Sequence, residues 1–144
     1  MDKNGNFVHT DALEAMSVEP EDFEQASDGL VELERRDKRR AAAVSSRILE
    51  DRIGDVYYRA FAFEMLYSAA LGDAVDYIEE HARTAEVYVL GAMIESVTED
   101  SGAISDRQTI QRAAALLKNA LDVRPDADVL SISEKISRFE EAYP

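Results

Sequence analysis

The chain has no cysteine and no tryptophan, and only three prolines and six glycines among its 144 residues. Without cysteine there is no disulfide and no thiolate metal site, and redox chemistry says nothing about compartment. The glycines form neither GxGxxG nor GxxxxGK[ST], so no nucleotide-binding loop is written in the chain. The two histidines, His9 and His81, fall in different elements, and zinc-ligand spacing is missing. His81 lies beside Glu79 and Glu80, but Glu79 and His81 are two apart and point to different sides of a helix. Serine, histidine and acid give no nucleophile-elbow motif. No cofactor and no small-molecule substrate are implied.

Positive charge is scarce too. Thirty carboxylates face sixteen basic residues, a net charge of −14, and the only lysines are Lys3, Lys38, Lys118 and Lys135. An acid-rich, lysine-poor composition fits proteins of salt-loving archaea. A dense carboxylate surface stays hydrated in molar salt, where charge repulsion is screened within roughly 3 Å. Such a surface also argues against general nucleic-acid binding, which needs a cationic footprint.

What is present is helical periodicity. At this length one domain is expected, and no sustained alternation of β-branched residues or Asn-Gly hairpin suggests strands. The pattern predicts an all-α fold: a five- to six-helix bundle with short loops over residues 20–144, preceded by an extended acidic N-terminal arm over 1–19. Pro20 suits the first turn of a short helix. A longer helix is expected from about Leu30 to Ile53, with Glu32–Arg36 and Glu34–Lys38 pairs. GDVYYRAFAFEMLYSAALGD (Gly54 to Asp73) reads as one helix bounded by two Gly-Asp stop-and-cap pairs. The seam Val75, Ile78, Ala82, Ala85, Val89, Ala92 predicts a single helix from Asp73, ending at EDSGA. Ser105 to Gln108, with Ile104 before it, has the form of a capping box, and Ile110, Ala113, Ala114, Leu117 and Leu121 mark the helix after it. Val129, Ile132, Ile136, Phe139 and Tyr143 mark the last one.

Two features stand out as contact surfaces. The first is RRDKRR, which follows 34 residues holding ten acids and Lys3 as their only cation. Its cations Arg35, Arg36, Lys38, Arg39 and Arg40 are candidates for electrostatic contact with phosphate or an acidic protein surface. A helix-turn-helix needs a basic second helix, and no helix after AAAVSSRILEDRIGD is cationic, so direct nucleic-acid contact is not expected. The second is the apolar stretch itself. About seventeen residues interrupted by Arg59 and Glu64 are too short and too charged to span a bilayer. Its aromatic surface, with Tyr57, Tyr58, Phe61 and Tyr67 beside Arg59 and Glu64, is a candidate subunit interface. Arg59, Glu64 and Ser68 form a thin polar stripe that seeks partners elsewhere.

These readings converge on a non-enzymatic structural or adaptor subunit that meets other protein subunits in a homo- or hetero-oligomer. In size and helical class the chain is similar to the head–tail connectors of tailed viruses, here one infecting a halophilic archaeon; the likeness is of size and class alone. In that setting RRDKRR and the acidic arm would make charged contacts between neighbouring subunits. Two alternatives remain open. One is a small regulatory protein binding DNA or a protein through residues 35–40. The other is an enzyme with Glu64 as a buried acid or base. No apolar run follows MDKNGNFVHTDALE, so a cytoplasmic protein, or one built into a virion in the cytoplasm, is expected.

Overall fold

The computed structural model describes residues 9–102 and 106–144. All regular structure among them is helical, in eight α-helices. Their contacts group into two compact units, the first ending at Ala70 and the second beginning at Leu71.

The first unit holds α1 (Thr10–Val18), α2 (Phe23–Arg36), α3 (Lys38–Glu50) and α4 (Val56–Ala69). Helix α3 packs on α4, α2 on both, and α1 on α2 and α3. Leu13, Leu30, Leu33, Ile48, Phe63 and Leu66 are among its fully buried side chains. Helix α1 occupies half of the stretch expected to be an extended arm. Nine residues is below the roughly 12–15 that an isolated helix needs, so α1 exists through its packing. Full burial of Leu13 contributes about 1.5–3 kcal/mol of that.

The helix expected from Leu30 to Ile53 is broken at Asp37. Its backbone is extended, its N–H closes α2 on the Leu33 carbonyl, and its carboxylate accepts the Arg40 N–H at 3.1 Å to open α3. One aspartate serves as stop and start, which its local hydrogen bonding favours over a mid-helix position. Glu34 and Lys38 therefore do not pair along a helix; Glu34 accepts from the Ser68 hydroxyl at 2.9 Å. The Glu32–Arg36 pair forms as expected, at 2.9 Å.

Helix α3 ends one turn before the glycine. Arg52 takes the left-handed conformation at φ 52°, and the Ile53 and Arg52 N–H groups bond to the Ile48 and Leu49 carbonyls. That is a Schellman stop built on an arginine. Gly54 follows at φ 74°, and Asp55 caps α4 by accepting the Tyr58 N–H at 2.8 Å.

The second unit holds α5 (Leu71–His81), α6 (Val87–Glu99), α7 (Arg107–Val123) and α8 (Ser133–Ala142), with 3-10 turns at Asp100–Gly102 and Asp126–Ile132. Helix α6 is central: α7, α8 and the second 3-10 turn all pack on it, and α5 packs on α7. Gly72 and Asp73 lie inside α5 rather than before it, because the chain breaks at Ala70 instead. The single helix expected from Asp73 is divided after His81. The Arg124 guanidinium donates to the Ala82 and Ala85 carbonyls, at 3.1 and 2.7 Å, holding the break open. The proposed capping box falls on Ile104 and Ser105, outside the described residues. Ile110, Ala113, Ala114 and Leu117 are buried as the periodicity predicts. The final helix is shorter than expected because Asp126–Ile132 winds as a 3-10 turn.

Candidate functional site

RRDKRR is divided between two helices. Arg35 and Arg36 end α2, while Lys38, Arg39 and Arg40 begin α3. Both arginines of α2 bond to Glu32, and those two hydrogen bonds, Arg35 first, hold its carboxyl down at about 2. Arg40 reaches across to α1, donating to the carboxylates of Asp11 and Glu14 and to the Thr10 hydroxyl at 3.2 Å. The hydrogen bond from Arg40, with its positive charge, holds the Asp11 carboxyl below its usual range. Lys38 and Arg39 are exposed and form no ion pair among the described residues. They stand in the first turn of α3, where the helix dipole disfavours cations.

Helix α1 is thus seated by complementary chemistry along its length. Arg40 holds its first turn. Leu13 is buried, and the Met16 methyl fits over Gly29, where an added Cβ would lie 2.5 Å from it. At its end, the Tyr58 hydroxyl donates to the Ser17 carbonyl at 2.6 Å. The Ser17 hydroxyl, fully buried, donates to the Leu13 carbonyl. Asp11 and Glu14 were not singled out by sequence, since nothing local links them to an arginine 26 to 29 positions away.

The second candidate surface divides by face. Tyr58, Ala62, Phe63, Met65 and Leu66 of α4 are buried, so Tyr58 is core rather than interface. Phe61 and Tyr67 are half-buried, and Tyr57 is 64% exposed. Tyr57, Phe61, Glu64 and Ser68 recur at helical spacing on one side of α4. Glu64 is exposed, which corrects its reading as a carboxyl in a dry pocket; such a pocket is what a raised pKa requires. Arg59 donates to the carbonyls of Arg52 and Gly54, bracing the turn that launches its own helix.

Among the described residues no cluster of three histidines, cysteines or acids could hold a metal, and no helix is long and apolar enough to cross a membrane. No protein-family model and no curated protein sequence matches the chain.

Proposed function

We propose that this chain is a non-enzymatic structural or adaptor subunit of a larger protein assembly. The observation that carries the reading is Tyr57: a ring 64% exposed on the outer side of a helix whose other face is core. Exposed aromatic side chains with apolar neighbours are what interface centres are made of. Val31, 50% exposed on α2, and half-buried Phe61 add to the apolar surface of the same unit. A head–tail connector in a halophile's virus is the specific form suggested by size and composition.

Hydroxyl-radical footprinting of the intact protein in molar salt tests this. Tyr57 oxidation should fall several-fold as protein concentration rises, and Tyr57→Asp should abolish the concentration dependence of the mass. Tyr57 reacting at one rate across the whole range would overturn the proposal.

A further inference from the structure

The acidic segment and the basic segment, expected to meet between subunits, meet inside one chain at Arg40. We infer that α1 is an exchangeable joint: in the assembly proposed above, on which this inference rests, α1 of one copy leaves its own seat and docks onto α2, α3 and α4 of a second copy. The contacts described above that seat α1 are made by its own residues Thr10, Asp11, Leu13, Glu14, Met16 and Ser17. The α1 of a second copy carries the same set, so the seat accepts it with the same bonds.

The connection between α1 and α2 suits exchange. Glu19, Pro20, Glu21 and Asp22 are all that separate the two helices. Three acids in four residues repel one another when the chain folds back, and proline favours an extended course. Four extended residues span at most about 14 Å, enough to carry α1 outward to a neighbour. Being too short to hold its own helix, α1 gains order wherever a seat is offered. Exchange of an identical element is a low-cost route from monomer to oligomer. It would also bring the connecting segments of two copies together near Tyr58, whose sequence neighbour is the exposed Tyr57.

Charge reversal separates exchange from intrachain seating. Arg40→Glu in one sample and Asp11→Arg with Glu14→Arg in another each break the contact within their own chain. Each alone should show fast hydrogen exchange over α1, whatever association its intact Tyr57 surface gives it. When mixed, each α1 matches the other chain's seat, so mixed pairs of the two variants should form and α1 protection return. A mixture whose α1 stays unprotected overturns the inference. Should either variant fail to fold, Met16→Cys with Gly29→Cys gives the same information, since the chain has no other cysteine. A disulfide between chains supports exchange, and one confined within chains overturns it. The wild type distinguishes the two ideas. An oligomer whose variants do not pair removes the exchange and leaves the assembly, whereas a wild type at single-chain mass removes both.

Discussion

Gly54→Ala is expected to destabilise the protein by roughly 2–5 kcal/mol, a large share of the ~5–15 kcal/mol that typically separates folded from unfolded chains. Two terms add. Gly54 has φ 74°, a conformation that costs a residue with a Cβ about 1–2 kcal/mol. The new Cβ would also stand 2.8 Å from the Tyr58 ring and 2.9 Å from the Phe23 ring. Those rings pack together at 5.4 Å between centroids, and neither is the loose end of a flexible chain. Forcing them apart adds about 1–3 kcal/mol of overpacking. Gly72→Ala is the control: nothing lies within 4 Å of its Cβ position, and it sits in a helix, so the change should be neutral or stabilising by up to about 1 kcal/mol. Urea unfolding followed by circular dichroism gives both values, with the midpoint shifting and the slope unchanged. Equal effects at the two glycines would contradict the structure.

Tyr58 gives the second large effect. Removing the buried ring with Tyr58→Ala should cost about 3–5 kcal/mol, as other large-to-small aromatic changes do. Tyr58→Phe keeps the ring and loses the bond to the Ser17 carbonyl, costing about 1 kcal/mol at neutral pH. Its more telling consequence is at high pH. Burial pushes the Tyr58 phenol up from 10.0 to about 12. The folded state therefore holds its proton more tightly than the unfolded chain does. This contribution is fully present below pH 10 and is lost as pH rises through about 12, amounting to roughly 2–3 kcal/mol. Tyr58→Phe should remove that alkaline slope. An identical stability-against-pH curve for wild type and Tyr58→Phe would show that the phenol is not buried as described. Because the hydroxyl holds the end of α1, hydrogen exchange over α1 should rise first in the same pH window.

The two Gly-Asp pairs show how much of the fold was legible. They look alike in sequence, yet only the first is a break: Gly54 is left-handed and Asp55 caps α4, while Gly72 lies inside α5. The helical class, the apolar face of α7 and the Glu32–Arg36 pair follow from spacing alone, because they depend on residues a turn or two apart. The break at Asp37 was also local. An aspartate among five cations carries the N-cap chemistry that divides the helix, and the strong periodicity on either side masked it. The break after His81 was not local, for its carbonyls are held by Arg124, about forty positions away. The stop at Arg52 gave no signal either, since arginine rarely adopts the left-handed conformation.

The candidate surfaces divide in the same way. Spacing alone does not separate exposed Tyr57 from buried Tyr58, which the sequence places on one candidate surface, whereas the membrane reading is excluded by length and charge. The partner of the basic run does not follow from spacing. Composition leaves phosphate and an acidic protein surface both open, and the structure brings Arg40 alone onto α1, within the stretch expected to be an extended acidic arm. Arg40 then separates from its neighbours: it is a bonded latch, while Lys38 and Arg39 remain exposed at a helix start. Residues 35–40 thus fall into three short pieces with different partners.

Sedimentation equilibrium of the unaltered chain, from dilute to concentrated protein and from low to molar salt, tests the assembly reading most directly. The account predicts a mass that reaches a multiple of 16.1 kDa, more readily at high salt where the net charge of −14 is screened. A mass of 16.1 kDa at every concentration and salt would contradict it.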